Sequence, residues 1–222
     1  MSTHILHLET STKVCSVALS KDGQLVAFLD QIADGYIHGE ALTLMISSVL
    51  QQAELKLKDL LAISYSKGPG SYTGLRIGLS TAKGLCFALG IPLIGLPSHR
   101  ILFELAKNGS KNAPTNVLAI LDARRTEVYL EIFNAQGTII RPLACALLDQ
   151  TQINDYLPAL VVGDCPQKAQ TFWTANDLSW NTEQLSARFQ ATAAFEAYAK
   201  KRFEDLAYCS PIYLKGANGV LL

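Results

Sequence analysis

The stretch Lys67–Gly95, KGPGSYTGLRIGLSTAKGLCFALGIPLIG, decides how this chain is read. The run Ala62 to Ser66 predicts a strand that feeds the Gly68-Pro69-Gly70 turn. Thr73 to Leu89 then predicts a helix, and Pro92 to Leu96 a further strand. Leu75, Leu79, Ala82, Cys86 and Leu89 form an apolar helical stripe. Beside it Gly74, Gly78 and Thr81 fall at i, i+4 and i+7, on one face. A glycine inside a helix costs about 1 kcal/mol relative to alanine. Close approach of another backbone is the usual reason to carry two of them. The expectation is that a neighbouring chain makes that approach.

Outward from this segment, Ile5 to Glu9, Val14 to Ser20 and Leu25 to Asp30 read as three strands, with a hairpin signal at Asp22-Gly23. His38 to Gln52 reads as a helix whose apolar arc (Leu42, Met45 and Val49 among others) is wider than one buried face needs. Polar Asn108 to Thr115 is the linker candidate. The pattern then restarts. Val117 to Asp122 ends in an acidic residue as Ile5 to Glu9 does, Glu127 to Phe133 alternates, and Thr138 to Arg141 returns after a turn. Laid over one another, the two halves match in element order, which reads as a duplication of an α/β lobe. Further on, Gln150 to Tyr156 and Glu183 to Phe203 read as helices and Ala159 to Val162 as a strand.

Zero net charge over 222 residues argues against a strongly basic nucleic-acid footprint. With 49% apolar residues, a sizeable core is available. The apolar runs stop short of a membrane span, and Met1 to Glu9 reads as a strand rather than a leader, so a cytoplasmic protein is expected. Five scattered cysteines form no C-x-x-C pair and suggest neither a zinc site nor a disulfide framework. The four histidines make no metal cluster and read as solvated or capping. No nucleophile elbow or triad is present.

Four segments together resemble the TsaB (YeaZ) family of tRNA threonylcarbamoyladenosine biosynthesis proteins: GPGSYTGLRIGLSTAKGL, ILHLETSTKVCSVAL, LDARRTEVYLEIF and SPIYLKG. The resemblance implies a two-lobed α/β fold of the actin/sugar-kinase/Hsp70 (ribonuclease H-like) superfamily, each lobe a mixed sheet begun by a three-strand meander and covered by helices. The lobes would be 1–107 and 108–222, the last residues free to return to the first lobe. The superfamily places phosphate loops after the first strand of each lobe. Here those are Glu9-Thr10-Ser11 and Asp122-Ala123-Arg124-Arg125, and two arginines stand where ATP-using members have glycines. The competing reading is plain hairpin turns, with Asp122 paired to an arginine. By position the metal-binding histidines of the related TsaD would fall on Ser98 and Leu102.

The resemblance therefore implies a non-catalytic scaffold that docks TsaD together with the ATPase TsaE, with ATP and metal on those partners and none on this chain. tRNA would be met mainly through the complex, and the chain alone would form a homodimer. The expected docking residues are Leu42, Met45, Val49, Gly70, Tyr72, Thr73, Gly74, Leu75, Gly78, Thr81, Ala82 and Leu85. Alternatives are an ATP-dependent kinase or hydrolase using an interlobe cleft, and direct tRNA binding by Lys13, Lys67, Arg76 and Lys83. A glycoprotease label finds no catalytic residues to carry it.

Overall fold

In the computed structural model, which describes residues 2–32, 38–109 and 115–216, the chain divides into two compact units. The first comprises residues 1–101 and 186–213, the second 102–185 and 214–222. The division is therefore not 1–107 against 108–222. The boundary falls inside a helix, and a long C-terminal segment returns to the first unit. Residues 110–114, the middle of the expected linker, lie outside the described residues.

The first unit is built on β1 (His4–Glu9), β2 (Val14–Lys21), β3 (Gln24–Ile32), β4 (Ala62–Gly68) and β5 (Leu93–Pro97), in the sheet order β3-β2-β1-β4-β5. The first three pair antiparallel and the last two parallel. Parallel pairs need crossovers, which α1 (His38–Gln52) and α2 (Tyr72–Leu89) supply. Strand alternation sorts the faces. Leu6 and Leu8 of β1 pack with Leu42, Met45 and Val49 of α1 and with Leu79, Ala82 and Cys86 of α2. Apart from Leu44, the wide apolar arc of α1 is thus spent on the unit's own core.

The intervening residue His7 serves the other face. His7 is fully buried, with Nδ1 2.6 Å from Ser64 Oγ and Nε2 2.7 Å from Ser20 Oγ. Ser64 donates its proton to Gln190 Oε1 at 2.6 Å, while Gln190 Nε2 donates to Leu8 O. Ser64 Oγ therefore accepts from His7, which fixes the proton on Nδ1 and makes Nε2 the acceptor for Ser20. Burial pushes the imidazole down to about 3. An unfolded histidine titrates near about 6.5. Because the folded value is the lower, this contribution is whole above pH 6.5 and is lost as pH falls towards 3. Acidification should remove about 1.4 kcal/mol per pH unit within that window. Urea midpoints at pH 7.5 and 5 test this, and His7→Gln should flatten the difference.

The second unit repeats the plan with β6 (Asn116–Asp122), β7 (Glu127–Asn134), β8 (Ile139–Leu147), β9 (Ala159–Gly163) and β10 (Leu178–Asn181), ordered β10-β9-β6-β7-β8. Again a three-strand meander is followed by parallel additions, so the duplication holds strand for strand. α3 (Ser98–Gly109), which the sequence reading did not assign, precedes β6, and α4 (Pro166–Gln170) follows β9. β8 runs through Pro142, past the expected end at Arg141. It tolerates proline because it is the sheet edge.

Two expected helices shrink. Gln150–Tyr156 keeps only a 3-10 turn at Asn154–Tyr156. Glu183–Phe203 becomes a 3-10 turn at Ala187–Gln190 and α5 (Ala191–Ala199). The early residues of that segment are tied to strands instead: Ala187 N donates to Ser16 Oγ at 2.8 Å and Ser186 Oγ to Asp30 Oδ1 at 2.8 Å. Lys201, with φ of 52°, ends the helical path. α5 packs against β1, β3 and β5, so it does not cover α1 and α2.

Candidate functional site

α2 begins where Ser71 Oγ accepts from Gly74 N at 3.2 Å, and ends at left-handed Gly90. Its start lies against the turn between β1 and β2. Ser71 N donates to Ser11 O at 2.6 Å. A Cβ on Gly74 would sit 2.0 Å from Thr10 O, and one on Gly78 2.3 Å from Thr10 Oγ1. One on Gly70 would lie 2.4 Å from Ser11 O. The close backbone approach that the glycines demanded is therefore made by the chain's own turn.

This corrects the expected docking residues. Gly74 and Gly78 are buried against Thr10, and Gly70 is held to Ser11. Leu42, Met45, Val49, Leu75 and Ala82 belong to the core. Of the expected set only Thr73 is exposed, while Tyr72, Thr81 and Leu85 are half-buried. The sequence reading missed the outward stripe of α2: Thr73, Arg76, Ser80, Gly84 and Phe87. At 100° per residue these positions lie opposite the buried face, and their spacing (i, i+3, i+7, i+11, i+14) could have revealed them. Phe87 is 83% exposed, and Leu44 of α1 is 70% exposed. At Gly84 an added Cβ would find no atom within 4 Å. The stripe is small in its middle, apolar at one end and open.

The C-terminal segment borders α2. Ile212 N donates to Lys67 O at 2.6 Å, and Lys83 Nζ to Ala207 O. Tyr213 stacks on Tyr72 with centroids 4.9 Å apart. Arg76 lies 4.1 Å over the Tyr72 ring, and its Nε donates to Tyr213 OH at 3.1 Å. Two segments that carried the resemblance, GPGSYTG and SPIYLKG, thus meet in space.

The first phosphate-loop candidate is closed. Glu9, Thr10 and Ser11 are all buried. Glu9 Oε1 accepts from Ser11 N at 2.8 Å and Ser11 Oγ at 2.6 Å, and burial raises the carboxyl above the usual range. His38 Nε2 donates to Thr12 O at 2.9 Å, pinning the turn from α1. His7, His38 and His99 are buried rather than solvated or capping.

The second candidate is a hairpin. Ala123 N donates to Glu127 O and Glu127 N to Arg124 O. Arg124 and Arg125 take φ of 70° and 48° and are exposed. Asp122 pairs with Lys168 at 2.6 Å and, among the described residues, with no arginine side chain; it also accepts from Arg124 N. Lys215 donates to Ala123 O at 3.0 Å and pairs with the Glu127 carboxylate. Protein cations and amides thus occupy the acceptors of this turn.

Beside it, Asp164 Oδ1 accepts from Asp122 N at 2.8 Å. Burial, and secondarily the Asp122 charge, push the Asp164 carboxyl up to about 6. A raised acid pKa means that the ionised form is disfavoured in the fold, fully so above pH 6. Asp164→Asn keeps the acceptor and drops the charge. It should stabilise the protein at pH 8 by up to about 3 kcal/mol, because each pH unit by which the carboxyl is raised costs the ionised fold about 1.4 kcal/mol. Near pH 4 the gain should be small. Melting curves at the two pH values check this.

Ser98 is buried with Oγ 3.1 Å from Ser66 Oγ, and Leu102 is an apolar core residue. Among the described residues no group of three or more His, Cys, Asp or Glu could hold a metal ion, and no helix is long and apolar enough to cross a membrane.

The family model described as TsaD, tRNA N6-adenosine threonylcarbamoyltransferase, matches residues 36–209. The tRNA threonylcarbamoyladenosine biosynthesis protein TsaB of Escherichia coli (strain K12) is 38% identical over 126 residues, which cover 56% of this chain and 52% of that protein. The match thus spans about half the length of that relative. The Bacillus subtilis (strain 168) protein of the same name is 30% identical over 164 residues, covering 73% of this chain and 68% of that one. Among solved structures, YeaZ from Pseudomonas aeruginosa superposes with a TM-score of 0.84 at 24% identity, covering 96% of this chain and all of that one. Two meander-begun mixed sheets, each covered by helices, give the chain an α/β fold of two lobes. With the family model and the B. subtilis relative each spanning most of the chain, it belongs to the TsaB family.

Proposed function

We propose that this chain is a non-catalytic scaffold in threonylcarbamoyladenosine modification of tRNA. It docks a TsaD-type catalytic subunit, and a TsaE-type ATPase joins them. The observation that carries the reading is the outward stripe of α2, where Thr73, Ser80 and Gly84 leave room for a facing helix and Phe87 and Leu44 offer apolar anchors. Small residues let backbones approach, and an exposed aromatic is a common anchor of an interface. The first turn that could have cradled phosphate is filled by the chain's own groups and the second closes as a hairpin, which supports leaving ATP to the partners. tRNA is met through the complex, in the cytoplasm, and the same stripe serves a symmetric homodimer when the chain is alone.

Co-expression with a TsaD-type protein from the same genome, followed by size-exclusion chromatography, tests the docking. A strain lacking the chain should lose threonylcarbamoyladenosine from its tRNA and regain it on complementation. Separate elution of the two proteins, or unchanged tRNA, would sink the proposal. Micromolar ATP binding by the isolated chain in calorimetry would favour the kinase or hydrolase alternative.

A further inference from the structure

We infer that Arg76 is the charged selector of the docking face: its guanidinium, held flat by Tyr72 and Tyr213, takes a carboxylate presented by the docking subunit. The inference rests on the docking reading above and adds the chemistry of the contact.

Arg76 stands within the outward stripe, one helical turn from Thr73 and one from Ser80. Its guanidinium lies 4.1 Å over Tyr72 and 6.0 Å from the Tyr213 centroid. Nε is committed to Tyr213 OH at 3.1 Å. The two terminal nitrogens form a planar fork, the shape that matches a carboxylate with two parallel hydrogen bonds. Among the described residues no carboxylate pairs with it. A long flexible side chain that is already ordered loses less entropy on binding. The adjacent half-buried Ile77 and a partner seated on the stripe would exclude water from the pair, and so strengthen it.

An RNA phosphate backbone fits the same stripe poorly. RNA affinity needs several cations in a row. Lys83 is already committed to Ala207 O in the C-terminal segment. What surrounds Arg76 on the stripe is small or apolar.

The test uses the full chain and the purified TsaD-type subunit, with affinity measured at low and high salt. Arg76→Gln should weaken the complex roughly tenfold at low salt and flatten its salt dependence, and Arg76→Glu should weaken it further. Tyr213→Phe, which frees Nε, should give a smaller loss of the same kind. If Arg76→Gln binds like wild type with the same salt slope while Gly84→Leu fails to bind, the selector role falls and docking stands. If Gly84→Leu also binds normally, or wild type forms no complex, the docking reading itself falls and takes the selector with it. A variant that only melts earlier would show that Arg76 merely pins the Tyr213 segment. Loss of tRNA binding by the isolated chain without loss of subunit binding would assign a phosphate and overturn the inference.

Discussion

Gly78→Leu is expected to destabilise the protein. Gly78 faces Thr10, which is 1% exposed, and even a Cβ would sit 2.3 Å from its Oγ1. The backbone of Thr10 cannot retreat, because its turn is tied by Ser11 to Glu9 and by Thr12 to His38. A leucine must therefore push α2 away from the sheet. Overpacking costs about 1–3 kcal/mol and sometimes more. The helix-propensity gain of about 1 kcal/mol does not offset it. The milder Gly74→Ala grades the effect. Its single methyl meets a backbone carbonyl at 2.0 Å and should lower stability by about 2 kcal/mol in urea. Wild-type melting of both variants would show that the helix does not lie on the turn as described.

Gly84→Leu should do the reverse. The position is open, so the fold gains helix propensity of somewhat under 1 kcal/mol and melts at the same temperature or slightly higher. A leucine there holds off a facing helix. The expected result is a tenfold to hundredfold weaker TsaD-type complex, from about 1–3 kcal/mol of overpacking, and a weaker homodimer. Chromatography of the folded variant with its partner decides it. The two glycines lie six residues apart on one helix, and their opposite outcomes separate core from interface.

The same helix shows what the sequence could and could not tell. That two glycines on one face require a close neighbour was legible, since it follows from helix geometry and propensity alone. Which neighbour was not, because the identity of the approaching backbone is a tertiary fact set by how the Glu9–Lys13 turn folds under α2. The duplicated meander was legible from alternation and turn signals, strand for strand. The helix over Glu183–Phe203 failed because hydrogen bonds to Ser16 and Asp30, more than 150 residues earlier, compete with local periodicity. The buried histidines failed for a related reason: His7 becomes a core residue only because Ser20, Ser64 and Gln190 converge on it. The charged turn at Asp122 was legible as a closed hairpin, but its partner Lys168 arrives from α4, beyond any local pattern.

The return of residues 186–213 to the first unit has a consequence for the time at which that unit can exist. A ribosome releases the chain from its N-terminus, and residues 102–185 must be made before Gln190 can reach Ser64 and Leu8. At about 5–20 residues per second, this delay is roughly 4–17 s. Throughout it, the first sheet has its α1 and α2 side covered while the opposite side, where Ser64 and Leu8 O still lack Gln190, stands open to water. The second unit, by contrast, holds nearly all its strands in one continuous run and can close while the first still waits. The half of the protein made first thus stays incomplete until most of the other half has been made. A chaperone that shields one face of a nascent sheet would find its client here during those seconds.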